Sequence, residues 1–433
     1  GALAGRLCPR RAPADAGRGV MKAVVFTLGC KVNGCESGSL LRGLAERGWE
    51  ISDELVPADL YILNTCAVTG EAEKKSRQAI ARIRAVAPHA RIAVCGCAAE
   101  RDPQAFADKQ NVFLVTGARQ KGEILSLLDA ACTGVHTDEA DKVYDEMPAP
   151  LSMKARAFVK IQDGCNNFCS YCIIPYLRGR SRSRSVESAA AEIMGSRAEE
   201  VVVTGIDISS YGDNGRGLAE LLLAVKDAPA RIRLGSLEVS AVTEKLLQCA
   251  QRVRDFAPHF HLSLQSGSDA VLKKMNRHYT REEYLSRVEL IRGYFPDAAV
   301  TTDVIAGFPT ETDEDFAATL DLCRRARFSQ MHCFAYSRRA GTNAAKLKEL
   351  PADVKKKRLH ELLSLAGELR RSYEAGYIGR TLELVPEERC GEYTVGYSEN
   401  YIRLYVAGNA ERRVRVRAIA AHGDGLLAEK AGE

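Results

Sequence analysis

The segment Cys165-Asn166-Asn167-Phe168-Cys169-Ser170-Tyr171-Cys172 sets three thiols at C-x3-C-x2-C spacing within one loop. Three soft donors so close together suit an iron–sulfur cluster. A cluster of four irons held by three cysteines leaves one iron open to a substrate or cofactor. The competing reading is a zinc knuckle. Structural zinc asks for four protein ligands, and no fourth Cys or His stands nearby, so a remote residue would have to close it.

Three further cysteines are dispersed on the N-terminal side: Cys30 in Leu28-Gly29-Cys30-Lys31-Val32-Asn33, Cys66 in Asn64-Thr65-Cys66-Ala67-Val68-Thr69, and Cys97 in Gly96-Cys97-Ala98-Ala99-Glu100. Each follows directly on a predicted strand. In an open parallel sheet the carboxyl ends of the strands line one crevice, where ligands collect. A single free cysteine is commonly just a small buried hydrophobe. Three in successive βα units, each beside glycine or a polar cap residue, argue for one metal centre. The remaining cysteines fit packing: Cys95 and Cys333 within strands, Cys132, Cys249 and Cys323 on helices, Cys390 near a turn. Cys35, five residues past Cys30, is left open by the pattern.

The elements that must position these groups follow a βα rhythm. Apolar runs at 22–28, 60–63, 91–94 and 112–115 predict strands, with helices over 36–47, over 71–86 and through 128. Such alternation implies a parallel sheet covered on both faces. The polar stretch 133–152, with Pro148 and Pro150, reads as a linker. A second series has strands near 158–161, 200–204, 232–237, 259–264, 299–305 and 330–336, with helices such as 282–294 and 313–327 between them. Six units match a partial (β/α)6 barrel better than a full eight-unit one. A basic helix over 352–377 leads out, and 381–385, 393–397, 401–407 and 414–419 then alternate as short antiparallel strands of a small β-barrel.

Composition sets the outer bounds. The chain has 433 residues, 46% hydrophobic and 27% charged, as globular proteins do, and its length suits roughly three domains. Fourteen cysteines in so long a chain point to metal or redox chemistry rather than a disulfide scaffold. No apolar run approaches the roughly 18 residues of a membrane span. Net charge is +5, but residues 1–20 alone carry Arg6, Arg10, Arg11 and Arg18 against Asp15. That segment lacks periodicity and the apolar core of a signal peptide, precedes Met21, and reads as a disordered leader. Any case for an anionic partner therefore rests on local patches.

The cysteine loop, the aromatic Tyr171 before its last member and the following (β/α) series resemble the radical S-adenosylmethionine (SAM) superfamily. From Met21 to about Leu427 the chain is similar to the radical SAM methylthiotransferases. Lys160-Ile161-Gln162-Asp163-Gly164, Ile173-Ile174-Pro175, Leu264-Gln265-Ser266-Gly267-Ser268, Asp303-Val304-Ile305-Ala306-Gly307-Phe308-Pro309 and Tyr336-Ser337-Arg338 carry the likeness further. The resemblance implies an α/β protein with a leader over 1–20, a flavodoxin-like domain over 21–132, a linker over 133–152, a radical SAM barrel over 153–372 and a TRAM-like RNA-binding β-barrel over 373–433. It implies two 4Fe-4S clusters. Cys165, Cys169 and Cys172 would bind the catalytic one, whose open iron takes the amino and carboxylate groups of SAM. Cys30, Cys66 and Cys97 would bind an auxiliary one that handles sulfur. Strand-end Thr204, Ser236, Glu238 and Gln265 are the candidate SAM contacts, since a (β/α) barrel displays its ligand groups there.

Within the family, CKVN at 30–33 and NTCAVT at 64–69 match the branch acting on N6-threonylcarbamoyladenosine at position 37 of tRNA. The isopentenyladenosine branch more often reads CQMN, and the branch modifying a ribosomal-protein aspartate CPKN. Gly34-Cys35 and Asn343 depart from the pattern, which usually has a polar residue with an aromatic, and a proline. The implied reaction replaces the C2–H of adenine by S–CH3. One SAM methylates sulfur and a second is cleaved to a 5′-deoxyadenosyl radical. The implied partners are a tRNA anticodon stem-loop and a low-potential electron donor such as flavodoxin, in the cytoplasm. Strand alternation would put Arg413, Arg415 and Arg417 on one face, beside Arg412, with Val414 and Val416 facing the core; such a row suits phosphates. Arg178, Arg180, Arg182 and Arg184 read as exposed and poised for substrate phosphates, and Lys355, Lys356, Lys357 and Arg358 as a solvated helix face. A different class of reading is a non-catalytic iron–sulfur or zinc RNA-binding protein that consumes no SAM.

Overall fold

The structure, a computed structural model, describes residues 20–137, 143–151 and 155–431. All of the expected leader but Val20, and part of the expected linker, lie outside the described residues. The chain divides into two compact units, Gly1–Leu151 with Ile173–Arg182, and Ser152–Cys172 with Ser183–Glu433.

The first unit is built on six parallel strands, β1 (Lys22–Thr27), β2 (Glu50–Ser52), β3 (Leu60–Thr65), β4 (Arg91–Gly96), β5 (Val112–Thr116) and β6 (Gly134–His136), in the order β2-β1-β3-β4-β5-β6. The order reverses direction between β1 and β3, which makes their carboxyl ends the switch point of a doubly wound sheet. Its helices are α1 (Lys31–Ala45), α2 (Gly70–Val86), α3 (Cys97–Arg101), α4 (Gln104–Ala107) and α5 (Ile124–Asp129). Successive strand residues bury on opposite faces. Val24, Tyr61, Leu63, Ile92 and Val94 pack with Ala79, Ile80 and Ile83 of α2. Ala23, Val25, Leu60, Ile62 and Ala93 pack with Leu40 and Leu44 of α1 and Ile124 and Leu125 of α5. The sequence misses β2, which is short and only half-buried. It also misses β6, which lies inside the stretch expected as a linker. Near the end of that stretch, Leu151 N is bonded to Gly38 O at 3.1 Å. One more helix, α6 (Ile174–Arg178), follows the cysteine loop in sequence but buries Ile173 and Leu177 in the α2 face of this unit.

The second unit opens with β7 (Arg156–Asp163), β8 (Arg182–Ser183), β9 (Glu200–Gly205), β10 (Arg231–Leu234), β11 (Ser236–Leu237), β12 (His259–Leu262), β13 (Ala299–Ala306) and β14 (Gln330–Ala335). The strand expected over 232–237 breaks at Gly235, and the series becomes two four-stranded sheets, β10-β9-β7-β8 and β11-β12-β13-β14. Apart from the edge β8 it is the expected set of six βα positions. Val159, Ile161, Val201, Val203, Ile232, Phe260, Leu262, Val300 and Val304 form the core against the helices, and alternation turns the polar residues of the same strands to the other face.

The helix Ala352–Ala375 leads to β15 (Thr381–Cys390), β16 (Tyr393–Tyr397), β17 (Arg403–Ala407), β18 (Val414–His422) and β19 (Gly425–Lys430), a closed barrel in the order β15-β16-β17-β19-β18. The sequence does not announce β19. The barrel caps the amino ends of the (β/α) strands: Arg156 reaches Glu387 at 3.0 Å, Arg231 pairs with Glu383, and the His259 ring stacks on Tyr401 at 4.3 Å. Among the described residues no helix is long and apolar enough to cross a membrane.

Candidate metal centres

The three strands β1, β3 and β4 are neighbours, and each hands a cysteine to the same end of the sheet. Cys30 sits at the N-cap of α1, which begins five residues earlier than the sequence predicts. Cys66 directly follows β3, and Cys97 is the first residue of α3. Two glycines make the approach possible. Gly29 has φ +106°, and a Cβ there would lie 2.6 Å from Cys66 Cβ. Gly96 has φ +99°, and a Cβ there would meet Thr65 O at 2.4 Å. L residues rarely adopt such backbone angles. Side-chain clamps then fix the loops. Asn33 Nδ2 donates to Leu28 O at 2.8 Å and Thr65 O at 3.0 Å. Thr65 Oγ1 donates to Cys95 O at 2.6 Å and accepts from Ala99 N at 3.1 Å. Burial pushes the Cys66 thiol up, the neighbouring Cys97 and Cys30 push it further, and Arg178 pulls it back. Cys30 and Cys97, 67 residues apart in sequence, thus both act on Cys66, with the Arg178 cation near it.

That cation is part of a buried network. Arg178 Nη1 donates to Glu36 Oε1 at 2.9 Å and its Nη2 to Asn33 Oδ1 at 2.8 Å. Lys121 Nζ pairs with the same carboxylate and donates to Asn33 Oδ1 at 3.0 Å. Two cations thus share the Glu36 carboxylate. The sequence pattern predicts Arg178, Arg182 and Arg184 exposed; all three are buried. Arg182 donates to Arg178 O at 2.8 Å and Arg184 pairs with Glu192. Only Arg180 of the four stays exposed. Cys35 is buried within α1, among its packing residues.

In the second unit, Cys165, Cys169 and Cys172 lie in the loop after β7. Ser170 anchors it, its N bonded to Met275 O at 2.9 Å and its Oγ to Lys274 O at 2.7 Å. Asn276 Nδ2 holds Asn167 O at 2.9 Å. Arg277 Nη1 donates to Cys169 Sγ at 3.3 Å while its Nη2 pairs with Glu238, and its guanidinium lies 5.1 Å from the centre of the Tyr279 ring. Asp207 Oδ2 accepts from Asn167 Nδ2 at 3.1 Å and lies 3.9 Å from Cys165 Sγ. Burial, followed by the charges of Asp207, Cys169 and Glu238, pushes the Cys165 thiol up to about 12.

Of the strand-end candidates, Glu238 is joined to the cysteine loop through Arg277. Thr204 is buried at the end of β9, and Ser236 is exposed at the start of β11. Gln265 takes a left-handed φ of +65° and ties the sheet end, its N bonded to Asp303 O at 2.8 Å. Sequence reasoning missed Arg277 and Asp207 at this loop and Lys121 and Glu36 at the other. None belongs to a spacing rule; only the fold brings them there.

None of the six cysteines of the two triads is in a disulfide, and all are soft donors. Three thiolates in one place suit an iron–sulfur cluster, whereas a structural zinc asks for four protein ligands.

Two other charged stretches differ from the sequence expectation. Arg415 and Arg417 are exposed and Val416 buried, as alternation predicts, but Arg413 is held by Asp255, with Glu383 at 3.8 Å. Arg358 is not solvated: it is buried and bonded to Glu311 and Asp313, each at 2.7 Å.

A family model described as the radical SAM superfamily matches residues 159–323, and one described as uncharacterized protein family UPF0004 matches residues 22–117. The chain is 36% identical to threonylcarbamoyladenosine tRNA methylthiotransferase MtaB of Bacillus subtilis (strain 168), over 90% of this chain and 92% of that protein. It is 37% identical to the protein of the same name from Chlamydia pneumoniae, over 95% and 98%. A tRNA-2-methylthio-N(6)-dimethylallyladenosine synthase of Desulfitobacterium hafniense (strain Y51) is 34% identical over 90% and 92%. The radical S-adenosylmethionine methyltransferase TsrM from Kitasatospora setae, solved with cobalamin and a 4Fe-4S cluster bound, matches in fold with a TM-score of 0.56 at 15% identity, over 75% of this chain and 77% of that one.

Proposed function

Since the chain belongs to the radical SAM methylthiotransferases, we propose that it adds a methylthio group to C2 of N6-threonylcarbamoyladenosine at position 37 of tRNA, beside the anticodon. The product is 2-methylthio-N6-threonylcarbamoyladenosine. The observation that carries this is the presence of two cysteine triads, each delivered by strand ends, in a chain whose relatives named for that nucleoside align over nine-tenths of its length. Those relatives are 35–37% identical, against 33–34% for relatives named for the dimethylallyl nucleoside. The CKVN and NTCAVT motifs favour the same branch over isopentenyladenosine or a ribosomal-protein aspartate.

The C2–H of adenine is neither acidic nor polarised, so acid–base chemistry at a side chain does not reach it and a cofactor must carry the hard step. When bound, SAM and two 4Fe-4S clusters supply a 5′-deoxyadenosyl radical and the sulfur to be transferred. Cys165, Cys169 and Cys172 would hold the cluster that meets SAM, and Cys30, Cys66 and Cys97 the auxiliary one. Arg277 holds Cys169 in place and offsets its charge. Glu238, in turn, fixes Arg277. Thr204, Ser236, Glu238 and Gln265 stand at the strand ends as candidate SAM contacts. Asn33, Gly29 and Gly96 shape the auxiliary loop, and Lys121 with Arg178 place positive charge beside an anionic centre. Residues 21–132 would thus serve sulfur, 153–372 radical formation, and 373–433, a TRAM-like barrel with exposed Arg412, Arg415 and Arg417, the RNA. A flavodoxin-type donor and a cytoplasmic setting suit low-potential clusters.

Mass spectrometry of tRNA nucleosides from cells with and without the gene tests the substrate. Loss of the 2-methylthio derivative of threonylcarbamoyladenosine supports it, and loss of the isopentenyl counterpart instead overturns it. Anaerobic reconstitution separates the enzyme from a non-catalytic RNA-binding protein: about eight irons per chain and release of 5′-deoxyadenosine belong to the enzyme.

A further inference from the structure

We propose that His261, Asp303 and His332 form a binding site for a first-row divalent cation inside the (β/α) barrel of the second unit. They come from β12, β13 and β14, three neighbouring strands. One donor atom from each lies within 4.8 Å of the other two, and His261 Nε2 stands 3.3 Å from Asp303 Oδ2. Adjacent donors around an octahedral cation with bonds of about 2.1 Å are about 3 Å apart, so this edge is already set and His332 has only a short way to close.

The three side chains share a face. Phe260, Leu262, Val300, Val304 and Met331 of the same strands point into the helix-packed core, so His261, Asp303 and His332 point to the inner face of the barrel. All three are partly exposed, which lets a hydrated ion reach them. The first ligand is oriented from behind: Thr301 Oγ1 lies 3.0 Å from His261 Nδ1 and 2.9 Å from His259 Nε2. With Nδ1–H donating to Thr301, the Nε2 lone pair faces the Asp303 carboxylate, and a cation between them satisfies both. An outer-shell hydrogen bond that fixes ring and tautomer is a regular part of histidine metal sites.

Two imidazoles and one carboxylate select borderline divalent ions such as Fe(II), Mn(II), Co(II) or Zn(II). Three protein donors leave positions open for water or for oxygen donors of a molecule that enters the barrel. None of the three residues is a cysteine, so Mn(II), a hard ion that prefers oxygen and nitrogen donors to thiolate, distinguishes this site from the cysteine triads.

The test uses the anaerobically reconstituted holoenzyme with its clusters in their EPR-silent oxidised state. Mn(II) is titrated in, and the signal of the free aquo ion is counted. One equivalent should bind, and Zn(II) should displace it. His332→Gln and Asp303→Asn should lose that equivalent. His332→Glu, which keeps a donor, should retain it, and Thr301→Val should weaken it roughly 10- to 100-fold. Variants are compared at equal iron content and equal far-UV circular dichroism. The site is refuted if wild type takes up no equivalent, if His332→Gln and Asp303→Asn bind as wild type does, or if folded His332→Glu fails to bind.

Discussion

Arg178 and Glu36 are 142 residues apart in sequence, yet they meet at 2.9 Å with neither side chain more than 2% exposed. The pair joins α6 to α1 near Cys66. Removing Arg178 strips the Glu36 carboxylate of one of two cationic partners and leaves it Lys121, which costs about 1–3 kcal/mol for the lost charged hydrogen bonds. Arg178→Met should therefore lower the unfolding free energy of the first unit by that order, and with it the denaturant midpoint; tyrosine or tryptophan fluorescence (Trp49 is the sole tryptophan) reports it. An unchanged midpoint would show that Lys121 alone neutralises Glu36.

The two triads should fail differently. Cys→Ala at Cys165, Cys169 or Cys172 should abolish release of 5′-deoxyadenosine. The same change at Cys30, Cys66 or Cys97 should spare some release while thiomethylation is lost, and the iron count should fall from about eight to about four. Full methylthiolation by a Cys97 variant would remove Cys97 from the auxiliary site.

Gly29→Ala adds a methyl group 2.6 Å from Cys66 Cβ at a φ of +106°. The strain is about 1–3 kcal/mol, borne by the loop that carries Cys30. The expected result is loss of auxiliary iron with an unchanged far-UV spectrum and a retained radical cluster, read by iron analysis and EPR of the reduced protein.

The arginines of β18 and its approach should separate into two kinds. Arg415→Ala and Arg417→Ala, both exposed, should weaken tRNA binding and flatten its salt dependence, by a slope of about 0.7–0.9 for each phosphate no longer neutralised. Arg413→Ala should instead lower thermal stability, because Arg413 is committed to Asp255. Equal effects of all three on binding alone would contradict that division.

Burial alone would push the Asp255 carboxyl up, but Arg231 and Arg413 hold it below the ordinary aspartate range. A depressed carboxylate contributes stability above its unfolded value of about 3.9, and that contribution is lost as pH falls through the folded value. Asp255→Asn should thus be less stable than wild type by about 1–3 kcal/mol near neutrality, with the gap closing below about pH 4. Urea titrations across that range measure it; a gap that widens in acid would refute the sign.

The cysteines were legible because the chemistry is written in local order. C-x3-C-x2-C needs no fold to be seen, and Cys30, Cys66 and Cys97 each follow an apolar run whose end the sheet topology brings to one crevice. Charge is misleading for the converse reason. A run such as Arg178, Arg180, Arg182 and Arg184 looks solvated when the nearest sequence holds no carboxylate. The partner of Arg178 is on α1 and that of Arg184 a helix away, at Glu192. Arg358 repeats this with Glu311, 47 residues upstream. Strands β2 and β6 escape notice because three residues on a sheet edge carry too little apolar alternation to register. His261, Asp303 and His332 are polar positions in three separate strands, and only the register places them side by side.

Residues Ile173–Arg182 belong to the first unit although β7 and the cysteine loop, which belong to the second, precede them in the chain. Domains are usually completed from the N-terminus as the chain is synthesised. Here the ribosome must release residue 182 before the first unit has Ile173 and Leu177 for its core or Arg178 for Glu36. By then the second unit has already begun. A gene split between residues 151 and 152 would therefore encode two fragments, of which the first lacks part of its own interior.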